Sequence, residues 1–508
     1  MTLNVWVPRA RQLSDTVAAF AVAALLCGCA VGPDFRRPAP PALLDYARPS
    51  LGAQTTSAEI AGGEAQRFLF DQPLAERWWT IFESPALNTL IDRALSASPT
   101  LVAAGAALRQ ARALVLAQQG AFFPTIAASF SASRQQASAT LSPPLSTNEL
   151  TYSLYTTQGT LSFTPDVFGG NRRQVESLSG LADAQRFQLE AAYMTLTSNL
   201  ASAAVQEASL RAQIAASHEI IDISTRSLAL IRRQFELGAV ARLDVAAQEA
   251  ALAQVQQTLP PLQKQLEQTR NLLAALSGRF PSDEPEETFE LAVLRLPRDL
   301  PVGLPSTLVE RRPDVRATEA QLHAASAQIG VALSSRLPQF TITGTAGGQS
   351  TGFAQMFANG NPFWAVVGNV AQTLFDAGTL LHRQRAAEAA FEQAAAQYRS
   401  TVITAFQNVA DALYALQADA EALKAAVAAE QATKVSLDLT LTAQQLGAVN
   451  YLAVLSAQQA YRQALLTRVQ AQAARLSDTI VLFQALGAAW WDRPGRERAA
   501  TAAPASER

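Results

Sequence analysis

Two stretches of this chain, 172–236 and 380–446, run for 65 and 67 residues without a proline, and nothing constrains its fold more. Both are rich in Ala, Gln and Leu, which lose little conformational freedom on entering a helix. At 1.5 Å per residue each would make a helix of about 100 Å, too long for a compact globule and suited to coiled-coil or tubular packing. They are also copies of one another. Gly238-Ala239-Val240, followed by Leu243, Asp244 and Val245, recurs as Gly447-Ala448-Val449, followed by Leu452, Ala453 and Val454, at an offset of 209. The same offset carries Gly278 onto Gly487 without a gap, which marks an internal duplication.

The rest of each half repeats too. Pro99 and Pro124 bound one Ala-rich helical stretch, Pro313 and Pro338 another, each pair 25 residues apart. Alternating sequence follows: the patterns predict strands over 122–134 and 150–163 in the first half, and over 339–349 and 363–375 in the second. The intervening loops, 135–149 and 350–362, are rich in Ser, Thr, Asn, Gly and Pro. Gly238 and Gly447 stand where each long helix must stop and turn into an antiparallel partner, which predicts left-handed glycine caps lying together at one end. In the first partner helix Val255, Leu259, Leu262, Leu266, Thr269, Leu273 and Leu276 keep a 4-3 spacing, one seam against a neighbour, with Pro260-Pro261 expected to kink it. The expected fold is thus mixed α and β, each half running helix, two strands, long helix, helix.

The N-terminus reads as a secretory leader. Arg9 and Arg11 precede a short apolar run, 17–26, that ends in Leu26-Cys27-Gly28-Cys29. This ending resembles a bacterial lipobox, which would make Cys29 the lipidated first residue of the mature protein and Ala30 an outer-membrane sorting residue. Beyond the leader no stretch approaches 18 apolar residues without charge, so no transmembrane helix is expected, and any spanning must use strands. Four strands cannot close a membrane barrel, so the chain is expected to oligomerise.

Other classes fare poorly. The formal net charge is -2 and the only lysines are Lys264, Lys424 and Lys434, which gives no footprint for nucleic acid. Cys27 and Cys29 are the only cysteines, and His218, His323 and His382 are scattered, so neither a disulfide framework nor a metal site is spaced out. Gly348-Gln349-Ser350-Thr351-Gly352 fits the pattern of a hydrolase nucleophile elbow, but it opens a loop between two strands where the elbow needs a helix. No enzyme is expected, and no cofactor apart from the covalent lipid on Cys29.

At several separate motifs the sequence resembles the outer membrane factor family, the TolC-related lipoproteins of NodT type. Cys29-Ala30-Val31-Gly32-Pro33-Asp34-Phe35 and Pro38 are similar to its lipidated opening, Trp78-Trp79 with Phe82 and Leu87 to its first helix, and Pro165-Asp166-Val167-Phe168-Gly169 to its strand-to-helix corner. The resemblance implies a homotrimer in the cell outer membrane, with a twelve-stranded transmembrane β-barrel continuous with a long periplasmic α-helical barrel. It implies a passive, gated exit duct for small toxic compounds, driven by an inner-membrane transporter through a periplasmic adaptor protein. Docking turns for the adaptor would be Leu237, Gly238, Ala239 and Val240 with Leu446, Gly447, Ala448 and Val449. The gate would comprise Asp244, Leu452, Leu455 and Ser456, serine standing where the family often has a second aspartate. The implied organisation is a signal peptide (1–28), a lipidated N-terminal and equatorial segment (29–98), a first repeat (99–278), a linker (279–305), a second repeat (306–489) and a tail (490–508). A channel for protein secretion and a structural envelope tether are the alternatives; the tether leaves the duplicated strand pairs unexplained.

Overall fold

The structure is a computed structural model, describing residues 30–487 apart from 42–44, 47–51, 71, 73–74, 76, 139, 141–148, 284–286, 304–307 and 310. The leader, Cys29 and the tail therefore lie outside the described residues, as does most of the first strand-pair loop. The elements follow the predicted order. Helices α1 (Pro85–Ala97) and α2 (Pro99–Gln119) lead to strands β2 (Thr125–Gln136) and β3 (Thr151–Phe163), then to α3 (Gly170–Glu236) and α4 (Arg242–Leu276). In the second half α5 (Pro313–Ser334) leads to β5 (Gln339–Ser350) and β6 (Pro362–Ala371), then to α6 (Thr379–Gln445) and α7 (Tyr451–Leu486). Two short strands, β1 (Arg67–Leu69) and β4 (Asp299–Pro301), pair in parallel. The long helices α3 and α6 each hold 67 residues.

Contacts divide the chain into two compact units, each assembled from both repeats. Among the described residues, the first draws on 30–37, 108–185 and 318–398, and holds one antiparallel sheet of order β2-β3-β5-β6. Its strands run 10 to 13 residues, barrel-strand length. β2 starts after Pro124, later than predicted, because Gly120–Phe122 forms a 3-10 turn and proline has no N–H to give to a ladder. β6 stops at Ala371, earlier than predicted, and the chain turns at Ala377 (φ 53°) and Gly378 (φ 86°).

The second unit draws on the described residues of 38–107, 186–317 and 399–487. Its core includes Trp78, Phe82, Phe289 and Phe483, with the Trp78 and Phe483 rings stacked at 5.6 Å. Ser84 Oγ caps α1 by accepting from Leu87 N at 3.3 Å, with Pro85 at the first helical position. Along α4 every position of the predicted seam is buried or half-buried, from Val255 to Leu276, and the helix runs on through Pro260 and Pro261.

One expectation needs correcting. Pro99–Phe122 is long and apolar enough to cross a membrane by length and composition. Its two charges, Arg109 and Arg112, break the uncharged run that the sequence criterion demanded, but its alanines and leucines keep it apolar overall.

Candidate functional site

The sheet of the first unit has two chemically distinct faces, because directly paired residues of an antiparallel ladder share a side. One face carries Ile126 and Phe130 of β2, Leu161 of β3, Ile342 of β5, and Trp364, Val366 and Val370 of β6, related by the pairs Ile126↔Leu161, Leu161↔Gly344 and Gly344↔Val366. All seven side chains are exposed, an apolar surface that water would penalise. The opposite face carries Ser129, Ser131, Gln158, Thr160, Thr341, Thr343 and Thr345, with Val367 exposed and Leu154 and Phe363 half-buried as its large apolar residues. β2 and β6 are the edges, and in a sheet of four antiparallel strands they run in opposite directions.

Each strand pair passes into its long helix through an aspartate corner. Asp166 accepts from Asn171 N and Arg172 N, both at 2.8 Å, and Asp376 from Gly378 N at 2.9 Å and Leu380 N at 2.7 Å. These are helix-start caps, and Asp376 is a counterpart that its sequence neighbours did not announce. The first corner also seats the residues after Cys29. Val31 N donates to Phe168 O at 3.1 Å, and a Cβ on Gly169 (φ +75°) would meet Ala30 at 2.6 Å. Arg173 holds the segment with its Nε on Val31 O at 3.1 Å and its Nη2 on Asp34 Oδ1 at 2.7 Å.

In the second unit the two helix turns come together. Gln444 Nε2 donates to Gln234 Oε1 at 3.2 Å, and Leu228, Ile231, Val245, Tyr451, Val454 and Leu455 form one buried cluster. Both turns close alike. Ala239 N donates to Gln234 O and Ala448 N to Ala443 O, each at 2.9 Å, with Gly238 and Gly447 at φ 71° and 73°. The following helices start differently. Asp244 reaches back to accept from Ala241 N at 3.1 Å, whereas Asn450, the residue equivalent to Ala241, accepts from Ala453 N, the residue equivalent to Asp244, also at 3.1 Å. The capping oxygen has moved from one end of the first turn to the other.

Of the predicted gate residues, Leu452 is 67% exposed and Ser456 lies exposed one turn on, its Oγ donating to Leu452 O at 3.1 Å. Asp244 is half-buried, and its nearness, after burial itself, raises the Tyr451 phenol. Leu455 is only 8% exposed and packs within the buried cluster, away from the surface that Leu452 and Ser456 share. Among the docking turns Leu237 and Leu446 are 69% and 80% exposed. Leu243, which the sequence analysis passed over, is 77% exposed and is the duplicate of Leu452 by the offset of 209. That offset was the signal that could have found it. Gly348 and Ser350 lie on β5, followed by the 3-10 turn Phe353–Gln355, so a nucleophile elbow has no helix to stand on.

Comparison with known proteins matches residues 90–279 and 304–488 to the family model described as Outer membrane efflux protein. The chain is 30% identical over 425 residues to the pyoverdine export outer membrane protein OpmQ of Pseudomonas putida, covering 83% of this chain and 90% of that protein. To the toluene efflux pump outer membrane protein TtgC of Pseudomonas putida it is 27% identical, covering 95% and 96%. Among solved structures, the outer-membrane channel OprN matches with a TM-score of 0.81 at 26% identity, covering 91% of this chain and all of that one.

Proposed function

Because the chain belongs to the outer membrane efflux protein family, we propose that it is the outer-membrane exit duct of a tripartite efflux pump, closed into a homotrimer. The observation that carries this is the sheet: an exposed apolar face, a polar face, and two edges of opposite direction. Unpaired edges cannot persist in hydrocarbon, where each free N–H or C=O costs several kcal/mol. Opposite edges let β6 of one copy pair antiparallel with β2 of the next, and three copies give a twelve-stranded barrel with the apolar face toward lipid and the polar face toward a water-filled lumen. Lipidation at Cys29 would add an anchor beside the first strand-to-helix corner.

The chain does no chemistry in this role. Energy comes from an inner-membrane transporter, reached through a periplasmic adaptor that docks on the exposed turn leucines, Leu237 and Leu446. Rings of Leu452 and Ser456, with Asp244 nearby, form the gate, the leucines narrowing the passage by excluding water. The relatives that export pyoverdine or toluene favour small organic compounds as cargo over protein.

Mild cross-linking in cells, purification and mass spectrometry test the assignment. Recovery of a homotrimer with an adaptor and a proton-driven exporter is expected; an ATP-driven protein exporter would move the role to secretion, and absence of any inner-membrane partner would leave a tether. Conductance of the reconstituted channel tests the gate: Leu452→Ser should raise the open fraction, and an unchanged trace would remove Leu452 from it.

A further inference from the structure

The segment 351–361, which joins β5 to β6, does not stand away from the sheet; it folds back over the apolar face. Phe353 meets the rings of Phe130 and Tyr155 edge-on, each at 5.9 Å. Thr157 Oγ1 donates to Met356 Sδ at 3.4 Å, and Met356 is buried. Phe130 pairs with Thr157, and Thr157 with Gly348, so all these contacts lie on the side that carries Ile126, Leu161 and Trp364. Gly348 makes the approach possible, since a Cβ there would meet Met356 O at 2.2 Å. The segment holds its own shape: Asn361 N donates to Ala358 O at 3.0 Å, and Gln349 N to Asn361 O at 3.1 Å. Yet Phe353 and Phe357 are exposed, an unusual disposition for two aromatic side chains on a loop already tied down.

Resting on the channel assignment above, we propose that this folded-back loop is a lipid anchor, its Phe353 and Phe357 rings seated at the headgroup–acyl boundary of the leaflet farthest from the helices. All four helical connections leave the sheet from its other end, so the loop marks the distal rim of the apolar face. Aromatic rings are favoured at that depth, half in hydrocarbon and half in the polar interface. The occupant is a phosphate-bearing lipid, because Arg134, exposed on the same face one pair beyond Ala132, places a cation at the height of a headgroup phosphate.

The chain offers a clean test, since Cys27 and Cys29 are its only cysteines and both sit at the leader boundary. Nitroxide is attached to Phe353→Cys, Phe357→Cys, Val366→Cys on the apolar face and Ser131→Cys on the polar face, each in a background with both Cys27→Ser and Cys29→Ser. The full chain is then reconstituted in vesicles of phosphatidylethanolamine and phosphatidylglycerol. Relaxation by oxygen is expected to exceed relaxation by a water-soluble nickel chelate several-fold at 353, 357 and 366, with the reverse at 131. Water-like labels at 353 and 357 beside a lipid-like 366 would overturn the anchor and leave the channel standing. A water-like 366 would overturn both, and loop labels shielded from both reagents would assign the site to a second protein copy. Arg134→Gln should shift the 353 label toward nickel access, and an unmoved label would remove the phosphate contact.

Discussion

The Tyr451 hydroxyl donates to Gln248 Oε1, tying the first residue of the second repeat's last helix to the matching helix of the first repeat. Gln248 is wholly buried, and its Nε2 also donates to Ser224 O at 2.7 Å, so one amide bridges three helices of the two hairpins.

Removal of the phenol oxygen should be costly for that reason. Tyr451→Phe leaves a buried amide oxygen without its donor, and a loss of about 1–3 kcal/mol is expected in thermal or denaturant unfolding. The double variant with Gln248→Met should lose less than the sum of the single changes, because the two residues share one interaction.

Gly238 has nothing within 4 Å of an added Cβ, so its requirement is conformational rather than steric. Gly238→Ala should cost about 1 kcal/mol through the left-handed backbone alone. Faster hydrogen exchange over 234–242 would report it, and Gly238→Asn should recover part of the loss.

Stability should fall as pH rises from about 4 to about 7. Burial first, then the hydrogen bond and charge of Asp478, push the Asp419 carboxyl up to about 7, against the opposing charge of Arg475. The unfolded chain releases this proton near pH 4, so between those values the fold binds a proton that the unfolded state lacks. The contribution is full below that range and lost as pH passes 7. A falling melting temperature for the wild type and a flatter profile for Asp419→Asn are expected; a wild-type profile that rises over this range would refute the assignment.

Arg173→Ala should release the segment after Cys29. The guanidinium holds Val31 O and Asp34, while Arg37 pairs separately with Glu319 at 3.0 Å. Trypsin cleavage after Arg36 is expected to accelerate several-fold without loss of helix signal by circular dichroism.

Cys29→Ser should abolish palmitate labelling of the mature protein and alter its membrane fractionation. Labelling that persists would place the lipid elsewhere.

Much of this architecture is written in local pattern. A helix needs periodicity and freedom from proline over its own length, so α3 and α6 were legible almost to the residue, expected from 172 and 380 and found from Gly170 and Thr379. Strand alternation located β5 within one residue, expected over 339–349 and found over Gln339–Ser350. The glycine turns followed from the duplication, because a left-handed cap has a residue preference that survives without context.

What needed the tertiary structure was orientation. Leu452 and Leu455 stand less than one turn apart on an Ala-rich helix with little contrast between its faces, and only packing against Leu228 and Ile231 puts Leu455 inside while Leu452 faces out. Gln248 gives no local sign of bridging three helices, since its partners come from 24 and 203 residues away. The return of Phe353 onto Phe130 and Tyr155 is likewise invisible to a loop rich in small and polar residues. The sequence by itself determined which segments are helix, strand and turn, because those depend on neighbours along the chain; the tertiary structure decided which side chains meet and which stay exposed, because those depend on contacts that chain order does not encode.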